Sequence, residues 1–222
     1  MKRMLAAWLI VLGVTTVAFA AGPRAVVQSS VERAMTILTE SELNEPSSKA
    51  AAREHTERRR EQIKGVAAEL FDFDEIARRT LVRHWASLTP DDRAEFTRLF
   101  TDLLEQVYVA RLEDFSGEKL MWTGETVDGG FASVRSRVVT RRGEMPLEYR
   151  MHLRDGRWRV YDLMIDGMSF VSIYRSQFDR ILRAESFGGL LERLRRKTFD
   201  TAGVEPRTQG LITWGAISGP PM

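Results

Sequence analysis

Glu144-Met145-Pro146-Leu147-Glu148-Tyr149-Arg150-Met151-His152-Leu153-Arg154 alternates, residue by residue, between two kinds of side chain. Successive side chains of a strand point to opposite faces, so Met145, Leu147, Tyr149, Met151 and Leu153 share one face. Glu144, Glu148, Arg150, His152 and Arg154 share the other. One dry and one wet face is the pattern of an antiparallel sheet covered on a single side. Pro146 has no N–H to give to a ladder, which predicts an edge position or a bulge near the start of this strand.

Working outward, residues 118–124, 131–140 and 157–165 keep the same period of two. They are separated by Asp128-Gly129-Gly130, Arg142-Gly143 and Asp155-Gly156. Links this short predict an antiparallel meander of four strands. Before residue 118 the period is 3.6. Val27, Val31, Ala34 and Leu38 mark a first helix over 24–40, ended by Asn44-Glu45-Pro46. Ser47 or Ser48 caps a second, with Ile63, Val66, Ala67 and Leu70 on one stripe. Asp72 or Asp74 starts a third, holding Ile76, Leu81 and Trp85. Thr89-Pro90-Asp91-Asp92 opens a fourth that runs to about Phe115. The apolar band of that helix, including Phe96, Leu99, Phe100, Leu103, Leu104, Val107 and Tyr108, is wider than one buried stripe needs. After the strands, Ser169 caps a helix with Phe170, Val171, Tyr174, Phe178, Ile181 and Leu182 on its buried side. Gly188-Gly189 precedes a last short helix. The predicted class is α+β, with one domain over residues 21–199.

Composition narrows the function classes. With 43% hydrophobic and 29% charged residues in 222, the chain has the makings of a packed core and not of a disordered protein. Lys2 and Arg3 precede an uncharged stretch, residues 4–23, and Ala18-Phe19-Ala20 fits a small-x-small cleavage site, so residues 1–20 read as a secretory signal peptide. Without Lys2 and Arg3 the basic residues number 31 against 31 acidic ones, and nucleic-acid binding by bulk charge loses its support. An exported chain without cysteine depends on packing alone and fits the bacterial periplasm. Residues 200–222, rich in Gly and Pro, read as a mobile tail. Arg58-Arg59-Arg60, interleaved with Glu54, Glu57 and Glu61, reads as an ion-paired exposed face.

No catalytic or metal site emerges. His55, His84 and His152 lie far apart in sequence, with no second ligand at metal-binding spacing. Gly167-Met168-Ser169-Phe170-Val171 falls short of a nucleophile elbow because Val171 stands where the turn needs a small residue. The acids of Phe71-Asp72-Phe73-Asp74-Glu75 suit the positive end of a helix dipole. Phosphate-loop and dinucleotide fingerprints are absent, so no cofactor is implied.

Trp158-Arg159-Val160-Tyr161-Asp162-Leu163-Met164-Ile165-Asp166-Gly167-Met168-Ser169-Phe170-Val171, followed by Tyr174-Arg175-Ser176-Gln177-Phe178, resembles the signature of the MlaC, or toluene-tolerance, family. The similarity extends through Trp85, Thr89-Pro90, Tyr108 and Gly189-Leu190, over about residues 25–198. Val82 stands where the family commonly has Gly, and Gly188 where it commonly has Asp. The resemblance implies a periplasmic phospholipid carrier, with no enzyme activity, that helps to maintain outer-membrane lipid asymmetry. Its implied partners are an outer-membrane lipoprotein complex and an inner-membrane ABC transporter with an MCE-domain subunit. It also implies a four-stranded sheet and helices arranged around an apolar lipid cavity.

From the residues alone, a dry sheet face opposite apolar helices is either a filled core or a cavity, and methionine serves both. Under the cavity reading the lipid-binding residues are Leu147, Tyr149, Met151, Trp158 and Val160 on the strands. Phe96, Phe100, Leu103, Val171, Tyr174 and Phe178 belong to the helices expected to face them. A lipid-modifying hydrolase and a periplasmic adaptor without lipid cargo remain the alternatives.

Overall fold

In the computed structural model, which describes residues 21–40, 48–112, 119–140 and 143–196, five helices precede the strands. They are α1 (Pro23–Glu40), α2 (Lys49–Leu70), α3 (Phe73–Leu81), α4 (Arg83–Ala86) and α5 (Pro90–Leu112). Then follow β1 (Lys119–Asp128), β2 (Phe131–Thr140), β3 (Gly143–Arg154), β4 (Arg157–Ile165), β5 (Met168–Ser169), α6 (Phe170–Ala184) and α7 (Phe187–Arg196). The expected signal peptide, 1–20, and tail, 200–222, lie outside the described residues.

The strands form one antiparallel sheet in the order β1-β2-β3-β4-β5. The expected α+β class and meander are present, but the sheet has five strands where four were expected. Asp166 and Gly167, at φ +50° and +77°, turn the chain back so tightly that Met168 and Ser169 pair with Ile165 and Met164. A two-residue strand is too short to carry a period. β1 also runs beyond the expected residue 124, through a bulge at Trp122/Gly124. The Arg135 guanidinium lies 2.9 Å from where a Cβ on Gly124 would stand.

Local chemistry sets the helix ends. The Ser48 side chain accepts from the Ala51 N–H and Asp72 from that of Glu75. Thr89 and Asp92 form a reciprocal capping pair. The expected single helix through Trp85 is broken at Val82, whose backbone stands at φ 47°, ψ −112°, so that Trp85 belongs to α4. Gly188 and Gly189 lie inside α7, which starts at Phe187. Pro146 sits inside β3, paired with Arg137 of β2. On its other side its carbonyl accepts from the Asp166 N–H at 3.0 Å, where β4 has already ended, so the missing donor is not needed there.

Two main apolar clusters result. One joins α3, α5, α6 and α7 around Phe96, Phe100, Tyr174 and Phe178. The other covers the inner sheet face with Val27 of α1 and Leu70 of α2. The chain crosses from α2 to α3 along the β4 edge, where the Asp72 N–H donates to the Val160 carbonyl at 2.9 Å. A smaller cluster of Leu38, Ile63 and Val109 ties α1, α2 and α5 together.

Candidate functional site

The pairing register places Ala132, Val134, Ser136 and Val138 of β2 on one face with Met145, Leu147, Tyr149 and Met151 of β3. Leu120 and Trp122 of β1 and Trp158, Val160, Leu163 and Ile165 of β4 complete this inner face. A bulge at Arg150/Met151 lets β4 keep apolar side chains inward on both sides of it.

The inner face is not uniformly covered. At one end Val134, Met151 and Val160 are 0% exposed, beneath α1 and α2. At the other end Leu120, Trp122, Val138, Met145, Leu147, Leu163 and Ile165 are only half-buried. Tyr149 stands between the two ends beside Ser136. Burial pushes its phenol above the usual pKa, partly offset by the Ser136 hydroxyl, so it stays protonated at neutral pH. Seven adjoining apolar side chains at this end thus keep part of their surface out of the core.

The expected site residues fall into two groups. Leu147, Tyr149, Met151, Trp158 and Val160 share the inner face. Phe96, Phe100, Leu103, Val171, Tyr174 and Phe178 belong to the helical cluster, where the rings pack on one another. Phe100 meets Tyr174 at 4.9 Å and Phe178 at 5.0 Å, and Phe96 meets Phe178 edge-on at 5.5 Å. The helical six therefore do not join the five strand residues in one cluster. Half-buried Phe71, at the crossing between α2 and α3, touches both. Leu120, Trp122, Val138, Met145, Leu163 and Ile165, which share the inner face with Leu147, are not among the expected site residues. Their signal is the register, which aligns them with Leu147, and no single strand displays it.

The residues that carry the family resemblance hold the fold at the β4–α6 corner. Asp162, 5% exposed, accepts from the Ser169 hydroxyl at 2.7 Å and from the Val171 N–H at 3.0 Å. Ser169 in turn accepts from the Ser172 N–H at 3.0 Å, which bears out its reading as a helix cap. The corner thereby anchors the N-terminus of α6 to the strand that bears Leu163 and Ile165.

The wet face of β3 is partly closed. His152 lies 3.0 Å from the carboxylate of Asp72, which also accepts from Arg154 at 3.1 Å. Burial opposes the Asp72 charge, but the Glu75 amide, Arg154 and His152 together hold its pKa below the usual carboxylate range. Tyr161 packs edge-on against His152 and carries the Arg79 guanidinium over its ring at 3.9 Å. Beside them an open polar pocket of about 500 Å³ is lined by Asp72, Asp74, Arg154, Asp155, Arg157 and Arg159. Within it Arg154 pairs with Asp72 and with Asp155, which suits a structural clamp between the start of α3 and the turn from β3 to β4. His84 lies 3.5 Å from Asp179, at the margin of the helical cluster. Among the described residues, no group of three or more His, Asp or Glu side chains is placed to hold a metal ion. No described helix is long and apolar enough to cross a membrane.

Fold and site define an α+β protein in which, among the described residues, one sheet carries an apolar face that is fully buried at one end and partly buried at the other. The model of the family described as MlaC protein matches residues 35–196, and the chain belongs to that family. It is 23% identical over 124 residues to the intermembrane phospholipid transport system binding protein MlaC of Haemophilus influenzae, covering 53% of this chain and 58% of that protein. It is 24% identical over 116 residues to the toluene tolerance protein ttg2D of Pseudomonas putida, covering 51% of this chain and 54% of that protein. The matches thus span little more than half the length of these curated relatives. A solved structure of a phospholipid-binding protein from Ralstonia solanacearum, in complex with a phospholipid, superposes with a TM-score of 0.66 at 21% identity. That match covers 83% of this chain and all of the other, and it shows a shared fold.

Proposed function

We propose that this protein is a periplasmic, non-enzymatic phospholipid carrier whose acyl chains lie along the half-buried end of the inner sheet face. The supporting observation is a family membership that names phospholipid transport among its relatives, together with an apolar sheet face that is only partly buried at one end. Leu147 and Tyr149 are the expected site residues we place nearest the chains. Met151, Trp158 and Val160 back them, and the helical six stiffen the wall.

The energetics constrain the mechanism. Burying 25 to 30 methylenes at about 0.8 kcal/mol each makes release of a diacyl lipid into water uphill by roughly 20 to 25 kcal/mol. Lipid therefore passes only while the carrier is docked, from an outer-membrane lipoprotein complex on one side to an inner-membrane ABC transporter with an MCE-domain subunit on the other. Both ends of each exchange are apolar, so the intrinsic preference of the carrier is small and direction comes from the partners. Residues 1–20 supply the export signal in this reading.

The test is to incubate the delipidated mature protein with phospholipid vesicles, re-isolate it and quantify bound lipid by mass spectrometry. Near-stoichiometric intact phospholipid is expected. Cleaved lipid would favour a hydrolase, and repeated failure to load would favour an adaptor without cargo.

A further inference from the structure

β1 is the outermost strand and pairs with β2 alone, so one row of its backbone N–H and C=O groups meets no strand among the described residues. The other edge of the sheet is covered. Besides β5 and the Asp72 N–H on Val160, Arg159 donates to the carbonyls of Ala68 and Phe71 at 2.6 Å. Folded proteins usually blunt a free edge by shortness, proline or inward charge. β1 has ten residues and no proline, and it exposes Met121 and Val127 at 55% and 54%. Only Lys119, Glu125, Asp128 and the bulge at Gly124 work against pairing.

The sequence holds a matching segment. Residues 208–222 carry no charged side chain, and Leu211-Ile212-Thr213-Trp214-Gly215-Ala216-Ile217 includes Ile212, Thr213, Trp214 and Ile217, side chains that favour strands. Fourteen residues, 197–210, separate it from α7. At about 3.3 Å each they reach at most roughly 45 Å, which followed along the surface covers most of a domain of about 160 described residues, whose expected diameter is roughly 40 Å. A tether of this length gives an effective concentration in the millimolar range, which favours the chain's own segment over a second copy.

We propose that the free edge of β1 is a strand-addition site and that its occupant is segment 211–217 of the same chain. Main-chain hydrogen bonds supply the attachment. Alternate side chains, Ile212, Trp214 and Ala216, extend the inner face beyond Leu120 and Trp122. The site does not depend on the lipid reading.

The chain has no cysteine, which makes crosslinking decisive. Met121→Cys is combined in the full chain with Leu211→Cys, Ile212→Cys, Thr213→Cys or Trp214→Cys, and each protein is oxidised at micromolar concentration. At least one pair is expected to close an intramolecular disulfide at least tenfold faster than Arg58→Cys on α2 combined with the same tail cysteine. In parallel, hydrogen exchange of the β1 amides should accelerate at least tenfold in the Trp214→Asp variant. Covalent dimers without intramolecular closure would make a second copy the occupant and overturn the proposal. Closure rates equal to the control, or unchanged β1 exchange in Trp214→Asp, would overturn it as well.

Discussion

Leu147→Ala and Met151→Ala, made two residues apart on the same strand face, separate a wall from a plain core. Met151 is 0% exposed beneath Val27 and Leu70, so its truncation leaves a void and costs about 2 to 5 kcal/mol whether or not lipid is present. Leu147 is half-buried. Full burial of a leucine is worth about 1.5 to 3 kcal/mol, and because no more than about a third of Leu147 is exposed, most of that, about 1.5 to 2 kcal/mol, is at stake in lipid-free protein. Acyl chains lying on Leu147 bury the remainder, which raises the cost of Leu147→Ala by about another 0.5 kcal/mol in the loaded protein. By linkage that difference is a loss of about twofold in lipid affinity. The assay is denaturant unfolding of delipidated and vesicle-loaded protein for wild type and both variants, with lipid content measured on the same samples. An equal cost of Leu147→Ala in the two states, with lipid dependence appearing at Met151→Ala instead, would refute the assignment of the half-buried end.

Val82→Gly should stabilise the protein by about 1 kcal/mol in the same unfolding assay. Relief of a β-branched residue at φ 47° is worth about 1 to 3 kcal/mol, against about 0.5 to 1 for the entropy of glycine; destabilisation would show that the junction between α3 and α4 is not strained. Ser169→Ala should cost about 0.5 to 2 kcal/mol by loss of a cap and leave lipid loading intact, and loss of loading in the folded variant would contradict this. Asp72→Asn should cost about 1.5 to 3 kcal/mol at neutral pH by removing charge-assisted bonds to His152 and Arg154. Because the folded-state pKa of Asp72 is depressed, its contribution is present above the unfolded value near 3.9 and is lost as pH falls through the folded one. The gap between wild type and variant in pH-dependent unfolding should therefore close in acid, and a gap that persists there would exclude the carboxylate as its source. Loading from vesicles that differ only in headgroup should vary less than tenfold, since the half-buried end is lined by apolar side chains.

The strands and most helix ends were legible because their signals are local. Alternation in β3, the caps at Thr89 and Ser169 and the Asp-Gly turns each lie within a few residues of what they determine. What stayed hidden is tertiary. The alternation of β3 marks a dry face without naming its cover, and the structure places α1 and α2 there instead of α5 and α6. The wide apolar band of α5 predicts contact on two sides. It meets α3, α6 and α7 through Phe96 to Leu104, and α1 and α2 through Val109. His152 belongs to the wet side of the β3 pattern, yet it is half-buried on a carboxylate 80 residues away, a pairing that no spacing discloses. Val82 was noticed only as a departure from a glycine, and its positive φ gives that departure a physical meaning.

Extraction of lipid from the purified mature protein, followed by mass spectrometry against a protein standard, bears most directly on the proposed carrier. The prediction is close to one intact phospholipid per folded chain, lost after delipidation and regained from vesicles. Protein that is folded, free of lipid as isolated and unable to take it up from vesicles would contradict it.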